Sequence, residues 1–212
     1  MKTVRNLIIV DESGSMCTIR REAFSGMNET LQTIMSLQKE SPEIAQTVTL
    51  ITFDSDHIKF HFNNTPAGEV KLLEWGDYNP SACTPLYDAI GRGINSVFST
   101  CGDEDNVLVT IITDGYENAS REFSLTQINN LIEKLKKQGW TFAFIGTDNL
   151  DVEGMARDFG VVNSLSFEQS SVGSKAMFDK EIRSRKRWFD KMKKGEMIDC
   201  CYDYFAEDET DE

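Results

Sequence analysis

Histidine is scarce, with two among 212 residues, and the five cysteines at 17, 83, 101, 200 and 201 fall into no metal-finger spacing. That pattern argues against a zinc module, and an odd cysteine count is a poor disulfide framework, so a reducing compartment fits best. The amino terminus lacks a long apolar run. Leu7–Val10 gives four residues before Asp11, too short for a signal peptide or a membrane span, which points to a cytoplasmic chain with no membrane partner. No Gly-x4-Gly-Lys-Ser/Thr loop is present, and this removes the common phosphate cradle of nucleotide-binding enzymes. Positive charge is also in short supply, with Lys+Arg 22 against Asp+Glu 35 and a net charge of -13. A globally acidic chain repels phosphate at long range, so nucleic acid is not an expected partner.

What remains is an ordinary soluble composition, 40% hydrophobic and 27% charged, in a length suited to one sizeable core. The charge is uneven: residues 196–212 carry eight acidic side chains and no basic one, whereas 180–194 carry eight basic residues against Glu181 and Asp190. We read a basic helix running into an acidic, solvated tail, with the folded domain over 1–194 and the tail over 195–212. Within the domain, short apolar runs alternate with segments of helical period, the signature of an α/β sheet with crossover helices. Strands are expected at Val4–Val10, Thr47–Phe53, Val107–Thr113, Trp140–Ile145 and Val161–Phe167, with Ile58–Phe62 as a short antiparallel edge strand. Ala23, Met27, Leu31 and Ile34 lay a stripe on the first helix, which Pro42 ends. Residues 63–83 read as a loop, after which Thr84 is expected to cap a helix that begins at Pro85 and runs to about Ser99. Ser124 and Gln127 form a capping box for the next helix, which closes on Lys136, Lys137 and Gly139. Helices at 152–159 and 171–193 complete the pattern.

The chemistry concentrates where strands end. Asp11, Ser13 and Ser15 leave the first strand, Thr84 opens the second helix, and Asp114 follows the fourth strand. Hydroxyls and carboxylates with water suit magnesium or manganese, which want hard oxygens, better than zinc. The run Asp11-Glu12-Ser13-Gly14-Ser15, with Thr84 and Asp114 downstream, closely resembles the metal-ion-dependent adhesion site (MIDAS) of von Willebrand factor A (vWA) domains. The resemblance extends over roughly residues 4–190. It implies a doubly wound, mostly parallel six-stranded sheet of order 3-2-1-4-5-6 with helices on both faces and a Rossmann-like switch point where the site lies. It further implies that Ser13, Ser15 and Thr84 touch the ion while Asp11 and Asp114 orient the hydroxyls and waters, one carboxylate being a further candidate for direct contact. The implied function is a non-catalytic interaction module whose Mg2+ or Mn2+ recruits an Asp or Glu of a partner protein. Stand-alone intracellular members of that family work beside ATPases or in assembly, repair and stress systems, so the resemblance implies a partner of that kind.

Two rival readings compete with this one. A haloacid dehalogenase-like phosphatase would use Asp11 as nucleophile, but it needs a second Asp where Ser13 stands, and Gly146–Asp151 is only a faint match to its later acidic loop. A metal-independent scaffold is the other. His57 and His61, four apart, are expected on one hairpin face and lack a third ligand for a second metal. Trp75, Tyr78 and Tyr116 fall in loops around the site and serve either as partner contacts or as loop packing. Cys17 and Cys83 flank the ligand positions; the plain reading makes them small buried side chains, the sharper one makes them oxidisable thiols that would distort the site. Cys200-Cys201 has no assigned role. Gly91 and Gly93 fall within a helix, where close packing on the sheet accounts for them.

Overall fold

The computed structural model describes residues 3–196 and 202–206. Its centre is a six-stranded sheet of order β3-β2-β1-β4-β5-β6. The strands are β1 (Thr3–Asp11), β2 (Ala45–Phe53), β3 (Ile58–Pro66), β4 (Asn106–Thr113), β5 (Thr141–Thr147) and β6 (Asn163–Phe167). All neighbours pair parallel except β2 with β3. The helices are α1 (Arg20–Glu40), α2 (Leu86–Phe98), α3 (Leu125–Lys136), α4 (Val152–Phe159) and α5 (Ser171–Lys193).

Successive side chains of a strand point to opposite faces, so β1 supplies both cores at once. Val4, Ile8 and Val10 face α1 and α5, whereas Leu7 and Ile9 face α2, α3 and α4. On the first face the stripe Ala23, Met27, Leu31 and Ile34 is buried as its spacing predicts. On the second, Ile128, Ile132 and Leu135 of α3 are buried, and the Ser124–Gln127 capping box is formed. A Cβ at Gly91 would come within 2.6 Å of the Phe123 ring, and one at Gly93 within 2.9 Å of Ile51, so α2 lies close against its neighbours through these glycines.

Four expectations need correction. The edge strand β3 continues to Pro66, so residues 63–83 are not all loop, and Ala67–Glu69 and Trp75–Asp77 form short 3-10 turns. Register shifts between Val48 and Ile51 let the antiparallel edge run longer than its apolar pattern suggested. Helix α2 begins one residue later than expected, with Pro85 at the N-cap position and no side-chain cap, so Thr84 does not cap it. His57 lies in the turn before β3, not on the strand with His61. The tail is not wholly solvated, because Tyr204 and Phe205 are buried against the face shared by α1 and α5. Two aromatic rings outweigh the acidic composition around them. Cys200 and Cys201 lie outside the described residues.

Beneath Tyr204 sits a buried ion pair. Arg185 donates to Glu181 Oε1 at 2.6 Å, to Asn6 Oδ1 at 2.7 Å and to Thr110 Oγ1 at 2.8 Å, and the Tyr204 hydroxyl lies 3.2 Å from the same Glu181 oxygen. These contacts tie α5 to β1, β4 and the C-terminal segment. Removing only the guanidinium strands a buried carboxylate. We therefore expect Arg185→Leu to cost about 3–5 kcal/mol in urea denaturation, and Arg185→Leu with Glu181→Leu to recover more than half of that loss. A double variant no more stable than the single one would contradict this.

Candidate metal centre

β1 and β4 are adjacent, and the register Val10↔Ile112 brings their carboxyl ends level. One chain connection leaves β1 toward β2 and another returns to β4 from the far edge, so the crevice between these two strand ends is the switch point of the sheet. Asp11 closes β1 and is fully buried. Its Oδ1 accepts from the Ser13 N–H at 2.7 Å and its Oδ2 from Thr113 Oγ1 at 2.5 Å. The chain then enters a 3-10 turn, Gly14–Ile19, which carries Ser15. That loop is pinned from the side: Ser81 N–H donates to Glu12 O at 2.8 Å, and Gly14 N–H to Ala82 O at 3.2 Å. Ala82 holds a left-handed backbone, φ 55°, to make this contact.

Of the five expected positions, Ser13, Ser15 and Asp114 form a line of oxygens, with Asp11 and Thr84 beside it. Ser13 Oγ lies 3.2 Å from Ser15 Oγ, and Ser15 Oγ donates to Asp114 Oδ1 at 2.6 Å. Thr84 joins through the space above Gly115. A Cβ placed on Gly115 would stand 3.0 Å from Thr84 Oγ1 and 3.7 Å from Asp11 Oδ2, so these two oxygens border one small recess that a larger residue would fill. Asp11, Ser13, Thr84 and Asp114 are buried, and Ser15 is exposed, which opens the cluster to solvent on one side.

Burial pushes the Asp11 carboxyl up to about 6; hydrogen bonds from Thr113 and Ser13 oppose the rise, and the charge of Asp114 adds to it. Asp114 is also raised, by burial, against the hydrogen bond from Ser15. Two carboxylates held this dry favour a nearby positive charge. Among the described residues no three His, Cys, Asp or Glu side chains gather as a cation site, so a site here depends on the hydroxyls. Three hydroxyls and two carboxylates form a donor set that fits a hard, oxygen-seeking divalent ion.

Several residues that shape the cluster have no sequence signal of their own. Thr113 bonds Asp11, as above. Asn118 clamps Thr84, its Oδ1 accepting from the Thr84 N–H at 2.8 Å while its own N–H donates to Thr84 O at 3.1 Å. Gln169, beyond β6, donates from Nε2 to Asp114 Oδ2 at 2.7 Å. Tyr78 is buried packing, its hydroxyl donating to Asp11 O at 2.7 Å. Trp75 and Tyr116 are half-exposed: Arg20 lies 4.2 Å over the Trp75 ring, and the Tyr116 hydroxyl accepts from the Asp151 N–H at 3.1 Å. Cys17 and Cys83 are exposed thiols, not small buried side chains. His57 contacts Asp54 at 2.9 Å and Glu12 at 3.7 Å, while His61 pairs with Thr52, so the two imidazoles do not converge. Asp148 accepts from the Gln169 N–H and remains in the β5–β6 connection.

No helix among the described residues is long and apolar enough to cross a membrane. Solved structures with the same fold include proximal thread matrix protein 1 from the mussel byssus, at TM-score 0.61 and 15% identity over 86% of this chain and 46% of that one. The PilB minor pilin from Streptococcus sanguinis matches at TM-score 0.61 and 12% identity, covering 90% of this chain and 63% of the pilin. The chain thus spans about half of the mussel protein and under two thirds of the pilin. The SpRpn10 VWA domain matches at TM-score 0.58 and 12% identity, with 87% of this chain and 95% of that chain covered. Another structure of the mussel protein, similar at TM-score 0.56 and 14% identity over 86% of this chain and 45% of that one, is described with a zinc-occupied MIDAS motif. Comparison with curated protein sequences gives no match. The profile of the von Willebrand factor type A domain matches residues 7–179, from the core of β1 into α5 and across every candidate ligand. The chain belongs to the von Willebrand factor type A domain family.

Proposed function

We propose that this chain is a cation-dependent protein-interaction module, in which Asp11, Ser13, Ser15, Thr84 and Asp114 form a MIDAS that holds Mg2+ or Mn2+ and receives an acidic residue of a partner protein. The observation that carries the reading is the run of close contacts from Asp11 through the Ser13 backbone N–H, and from the Ser13 hydroxyl through Ser15 to Asp114, at the ends of β1 and β4, with Thr84 on the shared recess. A bound divalent ion supplies a hard positive charge that an incoming carboxylate can ligate. The chain's own residues do the rest. Ser13, Ser15 and Thr84 offer neutral hydroxyls, Asp114 aligns the Ser15 hydroxyl, and Asp11 braces the Ser13 loop through its backbone. Exposure of Ser15 leaves an approach for the partner, with Trp75 and Tyr116 as half-exposed rings on neighbouring loops. Free thiols at Cys17, Cys83 and Cys101 support a reducing, cytoplasmic setting. A partner among ATPases or assembly and stress components fits such a setting.

Ser13 takes part in the hydroxyl line and provides no carboxylate proton donor beside Asp11, so the geometry favours binding over phosphoryl transfer. Hydrolysis of p-nitrophenyl phosphate by the wild type, lost in Asp11→Asn, would reverse that preference.

Cation uptake is measured by calorimetry and by thermal unfolding. At Mg2+ or Mn2+ one hundred times its Kd, the wild type is expected to gain about 2.7 kcal/mol of stability, and Asp114→Ala to lose the shift. A wild type with neither heat nor shift ends the proposal. In lysate, partner capture is expected with Mg2+ and not with chelator or with Asp114→Ala; capture that survives both would support a metal-independent scaffold.

In chelator, Asp11 gives a pH signature. Its carboxyl stands at about 6 in the fold against 3.8 as the ordinary value, so the folded chain binds this proton more tightly than the unfolded chain. The group favours the fold fully below about pH 4 and loses that contribution as pH rises through about 6, up to about 3 kcal/mol. The stability of Asp11→Asn relative to wild type, read from urea midpoints, is expected to climb between pH 4 and 7. A pH-independent difference would contradict this.

A further inference from the structure

Both oxygens of the Asp114 carboxylate are held by neutral donors. Oδ1 accepts from Ser15 Oγ at 2.6 Å, and Oδ2 accepts from Gln169 Nε2 at 2.7 Å. The same amide nitrogen reaches Thr18 Oγ1 at 3.2 Å, so its two hydrogens are both committed to the rim of the site. Thr18 Oγ1 in turn donates to Ser15 O at 3.2 Å. At the other end of the amide, Gln169 Oε1 accepts from Asn149 Nδ2 at 3.3 Å, and the Gln169 backbone N–H donates to Asp148 Oδ1 at 3.3 Å. One side chain therefore fastens the segments that follow β1, β4 and β5, and it stands beside Ser170, whose hydroxyl caps α5 by accepting from the Gly173 N–H at 3.1 Å.

We propose that Gln169 is a positioning residue of the cation site: by occupying the outer oxygen of Asp114, it keeps that carboxylate as the hydrogen-bond partner of Ser15 and keeps the ligand set poor in negative charge. This rests on the reading of the five oxygens as a cation site. The physical consequence is directional. A carboxylate released from Gln169 is free to turn toward the ligand cluster and adds negative charge there. More anionic ligand charge tightens the hold on a divalent ion and weakens the pull on an outside carboxylate. Loss of Gln169 thus moves the two affinities in opposite directions, whereas loosening of a merely structural contact would lower both.

The test uses the full chain with Mn2+ and acetate as probes. Mn2+ binding is read by calorimetry, acetate binding by water-proton relaxation of the Mn2+-loaded protein, and folding by circular dichroism and melting in chelator. For Gln169→Leu, Mn2+ is expected to bind at least about threefold more tightly and acetate at least about threefold more weakly than for wild type. Thr18→Val, which loosens the Ser15 and Gln169 contacts but spares the one to Asp114, is expected to leave both affinities alike or lower both, and never to split them in opposite directions. Gln169→Met replaces the leucine variant if that one melts early. Unchanged affinities, or a joint fall in both, would overturn the role of Gln169 while leaving the cation site intact. A wild type that takes up no Mn2+ overturns the site itself, before any variant is compared.

Discussion

A carboxylate sealed at the end of a central strand is costly, and much of the architecture around Asp11 answers that cost. Its oxygens are met by a backbone N–H from Ser13 and a hydroxyl from Thr113, and its own carbonyl receives the Tyr78 hydroxyl. The Ser13 and Thr113 donors lower the penalty without cancelling it, which is why the carboxyl remains well above its ordinary range. The residual electrostatic tension is localised where three hydroxyls and a second carboxylate also meet. So arranged, the cluster concentrates electrostatic cost in one place, and the hydrophobic layers on both faces of the sheet supply the stability to tolerate it.

The strand order makes the convergence geometrically inevitable. Because β1 and β4 lie side by side but connect in opposite directions, the loops that leave them diverge and open a crevice. Asp11, the last residue of β1, and Asp114, the first after β4, enter that crevice simply by their place at the strand ends. Thr84 is brought in by a different device, the two-way backbone clamp of Asn118, which holds the chain ahead of α2 in a non-helical path. The same clamp explains why Thr84 is not the helix cap that its identity suggests: its backbone is already engaged across the loop.

Most of the frame was legible because it is written in local patterns. The unbroken apolar run of β1, the apolar stripe of α1 and the capping box of α3 each need only a few consecutive residues to be read. The five candidate ligands could be singled out because they lie near a strand end or just ahead of a helix and match a family motif in order. Thr113, Asn118 and Gln169 were not, because their roles come from partners across the sheet, and a Thr, Asn or Gln in a loop is chemically unremarkable by itself. Acidic composition likewise concealed the packing of Tyr204 and Phe205, whose rings act through contacts that charge counting ignores. The edge strand ran past its expected end because backbone pairing with β2 continues where the apolar pattern has stopped.

The C-terminal segment has a spatial meaning beyond its packing. The Tyr204 N–H donates to Asn163, the first residue of β6, and α5 has by then carried the chain from the carboxyl-end pole of the sheet to the opposite one. A label carried on the exposed Ala206 would thus sit at the pole remote from Asp11 and Asp114. Such a label would report on the domain from the side opposite the crevice.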